Sequence, residues 1–296
     1  MNIRQFLRAL HWGCAGLIVA GASAQSTFTS DEDHFTWGAN VGWIEFRPER
    51  PAAGAGVRVH DTFLSGHAWS ANAGWIHFGN GAPSSGIRYA NSEGGEYGVN
   101  HDGAGNLSGL AWSANLGWIN FGWAGAGGAN SPRFSVSSGE FSGYAWSANA
   151  GWVNLASGFL RTDAMAIADS DGDGISDTWE RARSGSLPIL TASGDADGDG
   201  LSDKQEYIMD TDPMAANEPL RITRISQVPN QRAVELEWPG SSARVYTVEA
   251  KPELDQTSWL TLGEVPGVEG KRTAVNVEQG APQAFFRVGA KLPLTP

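Results

Sequence analysis

The sequence predicts a mainly β protein built from three consecutive parts. The first is a domain of repeated β meanders, the second a loop-rich acidic linker with short helices, and the third a β-sandwich. The chain of 296 residues contains 39 Gly and 13 Trp and few long runs of helix-forming residues. One motif recurs four times in the first half, and short alternating strands fill the last quarter.

The N-terminus has the pattern of an export signal. Arg4 and Arg8 supply positive charge, an apolar stretch follows, and small residues up to Ala24 form a cleavage site. We therefore expect a signal peptide over residues 1–24, cleavage near Ala24, a secreted or cell-surface product and no membrane insertion after cleavage. Cys14 is the only cysteine and lies within the signal. The mature chain would then need core burial or a metal, because it could form no disulfide.

The motif Trp-(Ser/Gly)-Ala-Asn-x-Gly-Trp divides residues 25–160 into four repeats. Its copies span 37–43, 69–75, 112–118 and 146–152. Their first tryptophans are 32, 43 and 34 positions apart, a period that indicates a solenoid, a propeller or a closed sheet. Asn and Gly accept the positive φ of tight turns, so each copy predicts a β-hairpin whose two Trp residues face each other across the strands.

Alternation after each turn assigns the side chains to two faces. Trp75 and His77 point one way, and Ile76 and Phe78 point the other. Because both faces carry large apolar groups, we expect the hairpins to stack on one another or to close into one sheet. A further strand precedes each later hairpin, at 57–60, 96–100 and 133–136. Each complete unit is therefore a predicted three-stranded meander, and the first unit is truncated.

The eight motif tryptophans allow two interpretations. They form the core of the repeats, or the second ring of each pair contributes to an exposed aromatic platform for sugar rings. The residues of that platform would be Trp43, Trp75, Trp118 and Trp152. A polar residue follows each of them two positions later, on the same face: Glu45, His77, Asn120 and Asn154. The sequence leaves open which face is covered.

An acidic segment over residues 163–213 carries the strongest chemical pattern. It contains 13 acidic and three basic residues, in a chain of net charge −12. Two loops follow Asp-x-Asp-x-Asp-Gly-x5-Glu, in which the glycine turns the chain so that the carboxylates at positions 1, 3 and 5 converge. These carboxylates would repel one another without a cation, and ligands that are all oxygen favour Ca²⁺. The predicted ligands, with carbonyl oxygens at position 7, are Asp169, Asp171, Asp173, Ile175, Asp177, Glu180, Asp195, Asp197, Asp199, Leu201, Asp203 and Glu206.

The two loops differ from EF-hands and resemble another family. Ser176 and Ser202 occupy loop position 8, where an EF-hand has a buried apolar residue. The runs at 169–177 and 195–203, with the tail at 205–213, resemble thrombospondin type 3 repeats. That resemblance implies a calcium-dependent spacer, often associated with adhesion. The cysteines of the animal repeats are missing, so calcium alone would hold the segment together.

The region 219–290 changes to short strands separated by Pro-Gly and Ser-Ser turns. Six strands are predicted, at 221–228, 233–238, 244–250, 258–262, 273–277 and 284–288. This number in about 75 residues predicts a small β-sandwich of immunoglobulin or fibronectin III type. The runs at 234–238, 246–249 and 284–288 resemble a fibronectin-like module of bacterial surface proteins. We interpret Trp238, Tyr246, Trp259 and Phe286 as core residues.

The motifs favour a binding protein over an enzyme. No basic patch suits nucleic acid, and no nucleophile elbow, phosphate loop or histidine metal spacing is present. We expect a secreted or cell-surface calcium-binding structural or adhesive protein, in which Ca²⁺ orders an acidic spacer between β interaction domains. Its partner would be an extracellular or cell-surface polysaccharide or protein. One alternative is a carbohydrate-binding protein that uses the Trp platform. Another is a polysaccharide hydrolase, which needs only two positioned carboxylates; those available are Glu45, Asp61, Glu93, Glu96 and Asp102.

Overall fold

The chain folds into the mainly β arrangement that the sequence predicts: a closed barrel, a loop-rich middle region with short helices and C-terminal sheets. A computed structural model describes residues 26–48, 56–92, 95–125, 127–230, 233–268, 272–278 and 284–294, with the backbone alone for 272–278. The predicted signal peptide lies outside these ranges. Among the described residues, no helix is both long and apolar enough to cross a membrane.

The described part of the N-terminal domain contains twelve strands. They are β1 (Phe35–Gly38), β2 (Gly42–Glu45), β3 (Arg58–Val59), β4 (Leu64–Ser70), β5 (Gly74–Gly79), β6 (Val99–His101), β7 (Leu107–Ser113), β8 (Gly117–Asn120), β9 (Arg133–Phe134), β10 (Phe141–Ser142), β11 (Tyr144–Ser147) and β12 (Gly151–Asn154).

Eight of these strands close into a barrel. The four motif copies form the hairpins β1–β2, β4–β5, β7–β8 and β11–β12. The second strand of each hairpin pairs with the first strand of the next, and β12 pairs back to β1 through the registers Trp37↔Asn154 and Gly38↔Val153. Of the three arrangements that the repeat allows, the chain therefore adopts the closed sheet.

The barrel interior is filled by layers of side chains from equivalent positions of the four hairpins. The residue before each turn glycine plugs one end, and small residues of the first strands lie beside branched residues of the second strands. Larger apolar residues two positions further along form the next layer. The inward residues are Val41, Ala73, Leu116 and Ala150; Thr36, Ala68, Ala111 and Ala145; Ile44, Ile76, Ile119 and Val153; and Phe46, Phe78, Phe121 and Leu155. This core confirms the predicted alternation along the strands.

A ring of side-chain hydrogen bonds joins the four turns at one end of the barrel. The Asn of each turn donates from Nδ2 to the carbonyl oxygen of the residue before the glycine in the preceding turn, at 3.0 to 3.2 Å. The pairs are Asn72 with Val41, Asn115 with Ala73, Asn149 with Leu116 and Asn40 with Ala150. Each turn glycine has a φ of 69° or 70°, which explains why the motif requires glycine there.

The motif serine strengthens three of these four links. Ser70, Ser113 and Ser147 donate to the same carbonyl oxygens as the asparagines of their own turns. The first hairpin has Gly38 at this position, and a Cβ there would lie 2.6 Å from Cγ2 of Val41. The motif Ser-Ala-Asn-x-Gly is therefore a structural device that fixes each turn to its neighbour.

The extra strands occur where the sequence predicts them. β3 pairs with β4 and β6 with β7, so both hairpins extend into three-stranded meanders. β9 pairs with β10 in a separate two-stranded sheet just before the fourth hairpin. Within the described residues, no such strand precedes the first hairpin, consistent with a truncated first unit.

Two short helices follow the two acidic loops. They are α1 (Asp177–Ser184) and α2 (Asp203–Met209), with a 3-10 turn at Leu187–Ile189 between them. The segment has a small core of its own, formed by Ile175, Trp179, Leu190 and Tyr207.

The C-terminal module consists of two three-stranded sheets. Its strands are β13 (Arg224–Gln227), β14 (Ala233–Pro239), β15 (Val245–Lys251), β16 (Leu260–Pro266), β17 (Arg272–Glu278) and β18 (Phe285–Lys291), in the orders β13-β14-β17 and β16-β15-β18. Trp238 and Tyr246 are buried between the sheets, and Phe286 packs against them, as predicted. Trp259 is not part of this core: it is partly exposed, and the cationic groups of Lys251 and Arg287 lie 4.7 and 4.5 Å from its ring centroid. The immunoglobulin or fibronectin III assignment stays a prediction.

Candidate calcium sites and an exposed tryptophan belt

The first acidic loop folds around its own carboxylates. Asp169 accepts hydrogen bonds from the amides of Gly172 and Gly174 at 2.8 and 2.9 Å. One oxygen from each of Asp169, Asp171 and Asp173 lies within 4.8 Å of the others. Oxygens on opposite sides of a Ca²⁺ ion are at most about 5 Å apart, because each Ca–O distance is about 2.3–2.6 Å. The spacing therefore fits one calcium ion.

The second loop repeats this geometry. Asp195 accepts from the amides of Gly198 and Gly200 at 2.8 and 3.0 Å. Oxygens of Asp195, Asp197 and Asp199 again lie within 4.8 Å of one another. The same sequence pattern thus produces the same cluster twice.

The glutamate at loop position 12 faces its cluster from a buried position. Glu180 is fully buried, and neither carboxylate oxygen has a hydrogen-bond partner among the described residues. Burial raises the pKa of Glu180 to about 7, and repulsion from Asp171 and Asp173 adds to the shift. Burial also raises the pKa of Glu206. A buried carboxylate without a partner is costly, so this position needs either a proton or a cation.

Other oxygens in the loops are in the same situation. Asp173 Oδ2, Asp197 Oδ2 and Glu206 Oε2 are buried without a hydrogen-bond partner in the described structure. Together with the two oxygens of Glu180, these carboxylates fit a hard divalent cation. Calcium would bridge the carboxylates and neutralise their mutual repulsion. The carbonyl oxygens of Ile175 and Leu201 stay predicted ligands.

The aspartate at position 9 of each loop accepts hydrogen bonds from residues near the start of that loop. Asp177 accepts from the amide and hydroxyl of Ser170, and Arg181 lies 3.6 Å from one of its oxygens. Asp203 accepts from the amides of Thr191 and Ala196 at 2.8 and 3.0 Å. These contacts are structural and add to the ligand role predicted for both residues. Nothing in the loop pattern alone distinguishes the two roles.

Position 8 explains why the loops depart from EF-hands. Ser176 is the N-cap of α1 and accepts from the amides of Thr178 and Trp179. Ser202 caps α2 and forms a capping box with Gln205. The serines thus begin the helices that carry the position 12 glutamates.

Contacts outside the loops join the two sites. Lys204 Nζ, on α2, donates to the carbonyl oxygen of Asp173 in the first loop at 3.1 Å. Thr211 and Asn217 donate to Glu206 Oε1, both at 3.2 Å. The tail after α2 therefore closes the second site.

The acidic segment also contacts both β domains. Ser176 donates its hydroxyl to Asp61 of the barrel. Asp210, at the end of α2, accepts from Trp179 and Arg183 of the segment and from Ser241 of the C-terminal module. Burial alone would raise the pKa of Asp210, but the nearby Arg244 charge and these hydrogen bonds hold it below its usual range.

A cavity of about 300 Å³ lies at this junction. The barrel lines it with Asp61 and Asp102, the segment with Trp179, and the C-terminal module with Arg244. Asp102 accepts from Ala104 and Asn106 within its own loop. Both aspartates, which the sequence offers as possible hydrolase carboxylates, thus hold structural hydrogen bonds. Glu93, another such residue, lies outside the described structure.

The eight motif tryptophans form a belt around the outside of the barrel at its turn end. The interpretation as barrel core is wrong, because the strand alternation places Ile or Val and Ala inside and turns every Trp outward. Six rings are 37% to 48% exposed, namely Trp37, Trp69, Trp112, Trp118, Trp146 and Trp152. Trp43 and Trp75 are only partly exposed, since Trp43 packs against Phe35 and Phe159 and Trp75 against His67. The predicted platform of second rings therefore includes two open and two more covered positions.

The cross-strand Trp pairs form as predicted. Trp69 and Trp75 have ring centroids 5.0 Å apart, and Trp112 and Trp118 have centroids 4.8 Å apart. Their planes cross at 57° and 61°, so the paired rings are tilted and not coplanar.

Each polar residue proposed to accompany the rings lies directly beside the first Trp of the next hairpin. The pairs are Glu45 with Trp69, His77 with Trp112, Asn120 with Trp146 and Asn154 with Trp37. Barrel closure creates these neighbours, which no local sequence pattern shows. Around the belt, Trp pairs and polar side chains therefore alternate.

A comparison with known protein families found a match for one part of the chain. Residues 169–186 and 195–216 match the family model described as the bacterial TSP3 repeat. The match confirms the predicted thrombospondin type 3-like segment, and repeats of this kind bind calcium. No curated protein and no solved structure matches the chain.

Proposed function

We propose that this chain is an extracellular calcium-binding structural or adhesive protein, in which two ions order the acidic segment between the barrel and the C-terminal module. The buried carboxylate of Glu180 carries the proposal, because both of its oxygens lack a hydrogen-bond partner in the described structure while three aspartates converge in the same loop. The match to the bacterial TSP3 repeat supports it. No catalytic role is part of the proposal.

The mechanism is mechanical. Calcium would draw Asp169, Asp171 and Asp173 together with Glu180 and so fix the start of α1 to its loop. α1 holds the barrel through the Ser176–Asp61 hydrogen bond and reaches Asp210 through Trp179 and Arg183. Asp210 in turn binds the C-terminal module through Ser241, at 2.6 Å. Ordering the loops thereby sets the position of one β domain relative to the other.

Calcium removal tests this function. Full-length mature protein in millimolar Ca²⁺ and in EDTA would be compared by calorimetric titration, small-angle scattering and hydrogen exchange. We expect EDTA to remove amide protection from residues 163–217 while barrel strands keep theirs, and to expand the particle. A ligand at 1,000 times its Kd stabilises the folded state by about 4 kcal/mol, so the transition of the segment should shift strongly. Identical scattering profiles together with no calcium uptake would contradict the proposal.

A second function, ligand binding by the tryptophan belt, is favoured by the exposure of its rings. Large contiguous aromatic surfaces on soluble proteins often mark binding sites. The partner we propose is an extracellular or cell-surface polysaccharide, because flat rings alternating with polar side chains suit the C–H faces and hydroxyl groups of sugars.

A further inference from the structure

One half of the tryptophan belt differs chemically from the other half. The half formed by hairpins three and four and closed by Trp37 contains no charged side chain; we call it the neutral arc. Its residues are Trp112, Trp118, Asn120, Trp123, Trp146, Trp152, Asn154 and Trp37. The opposite half contains the charged residue Glu45 beside Trp69. His67 and His77 lie on the strands of Trp69 and Trp75, and burial lowers the pKa of both, so they are uncharged at neutral pH. His77 pairs with Trp112 and so marks the boundary of the arc.

The neutral arc is also the more open half. Its six Trp rings are all 37% to 48% exposed, whereas on the other side Trp43 and Trp75 are more covered and Trp69 alone reaches 37%. Trp123 is an addition that the motif does not predict: its ring lies 4.7 Å from that of Trp152, and its indole N–H donates to the Tyr144 carbonyl at 2.6 Å. Tyr97 similarly supports Trp118 from 4.9 Å. These contacts hold the rings in place, so binding would order few side chains.

The two asparagines of the arc are oriented hydrogen-bond donors. Asn120 Oδ1 accepts from the amide of Gly122 at 2.7 Å, and Asn154 Oδ1 accepts from the amide of Ala156 at 3.0 Å. These bonds fix both amide groups and leave Nδ2 of each side chain as the available donor. Each donor stands next to an exposed ring, since Asn120 pairs with Trp146 and Asn154 with Trp37.

We infer that the neutral arc binds an uncharged polysaccharide, with sugar rings stacked on the indole faces and hydroxyl oxygens accepting from Asn120 and Asn154. This inference rests on the second function proposed above, ligand binding by the belt. Two features select the partner. The unit of paired rings plus amide occurs twice in succession along the arc, which suits a polymer whose own surface repeats. Residues 25–160 contain ten acidic and five basic residues, so the barrel repels anionic polymers, and the arc offers them no cation.

The test uses the full mature chain with calcium bound. Affinity electrophoresis through gels that contain hydroxyethyl cellulose, dextran or mannan would give a Kd for each neutral polymer, with alginate as the anionic counterpart. We expect retardation by at least one neutral polymer and none by alginate. An aromatic belt would also suit a membrane surface, so sedimentation with phosphatidylcholine vesicles tests binding to lipid. Preferential binding to the vesicles would overturn the inference. So would the absence of retardation by every neutral polymer.

Variants locate the site. Trp152→Ala should raise the Kd about tenfold, the size typical of an aromatic anchor. The matched change Trp69→Ala, beside Glu45 in the opposite half, should leave the Kd within about twofold. Trp152→Phe keeps the hairpin pair and should recover part of the affinity, which separates ring stacking from a fold defect. Equal losses for Trp152→Ala and Trp69→Ala would contradict the neutral arc as the site.

A repeat in EDTA separates this inference from the calcium proposal. The predicted calcium ligands all lie in the acidic segment, so retardation should persist without calcium. Loss of calcium uptake would then leave polysaccharide binding intact, and loss of polysaccharide binding would leave calcium uptake intact.

Discussion

The barrel and the acidic segment solve the same problem, burying polar groups, in opposite ways. In the barrel each turn satisfies the next, as when Asn115 and Ser113 both donate to the buried carbonyl of Ala73. In the acidic segment, five carboxylate oxygens are buried without a partner, and within the described structure no other side-chain oxygen is in this state. In its described part, the barrel thus leaves no buried side-chain oxygen unpaired, whereas the segment leaves five that only a proton or a cation could satisfy.

The largest expected effect is the loss of barrel stability in acid. His101 is buried in the barrel, where burial lowers its pKa to about 4. An unfolded histidine takes up its proton near pH 6.5, whereas folded His101 stays neutral down to about pH 4. The folded state is therefore at full stability above pH 6.5, and protonation of the unfolded state lowers the free energy of unfolding as the pH falls towards 4. We expect the titration of His101 alone to cost the barrel up to about 3 kcal/mol over this window, measured by urea unfolding in saturating calcium.

A variant assigns that acid slope. His101→Gln cannot titrate and should remove a large part of the pH dependence, although it costs stability at pH 7 because His101 bonds to the carbonyl of His60. His67→Gln, at a partly exposed position where burial also lowers the pKa of the histidine, should remove less of the slope than His101→Gln. Part of the slope should remain, because the pKa of His60 is also lowered to about 4. A slope that His101→Gln leaves unchanged would contradict a contribution from His101.

Glu180→Gln probes the segment with a smaller effect. Removing the charge should weaken binding at the first site by about tenfold, or 1.4 kcal/mol, because the amide keeps only one ligand oxygen. The same change should raise the melting temperature of the metal-free protein at pH 8, since the repulsion from Asp171 and Asp173 is gone. Calcium calorimetry and thermal unfolding in EDTA would check both signs.

Glu253→Gln is the matched control, with the same change of charge on an exposed residue of the C-terminal module. It should alter neither quantity. If Glu180→Gln instead destabilised the metal-free protein, the Glu180 carboxylate would have to stabilise the fold without calcium. That result would contradict a carboxylate that is left unpaired until calcium binds.

The turn ring predicts the smallest difference. In the first hairpin Gly38 replaces the serine, so Asn40 is the only side-chain donor to the Ala150 carbonyl among the described residues. Asn40→Ala should therefore leave a buried acceptor unpaired and cost about 1–2 kcal/mol, whereas Asn115→Ala leaves Ser113 in place and should cost about 0.5–1 kcal/mol. Chemical denaturation of both variants measures the difference, and equal losses would show that the serine bonds do not compensate.

Much of this architecture could be predicted from local patterns. The turn chemistry gave the four hairpins and the Trp pairs, and the Asp-Gly spacing gave the two loops. Alternation separates two faces but does not say which one is inside. The narrow interior of an eight-stranded barrel decides this, because Ala68 and Ile76 fit there and Trp69 does not.

Features that depend on distant contacts could not be predicted. The β12–β1 pairing joins Trp37 to Asn154, and the junction joins Asp210 to Ser241. The structural role of Asp177 could not be predicted either, because an aspartate at its loop position can serve as a metal ligand or accept hydrogen bonds from the loop.

Closure of β12 onto β1 has an evolutionary consequence. An open array can gain or lose a repeat at either end by gene duplication, since each new unit docks on the last one. Here the first and last units are neighbours, and the asparagine ring runs through all four turns. A fifth copy or a missing one would change the strand number and the width of the interior at once, so the repeat count is held at four.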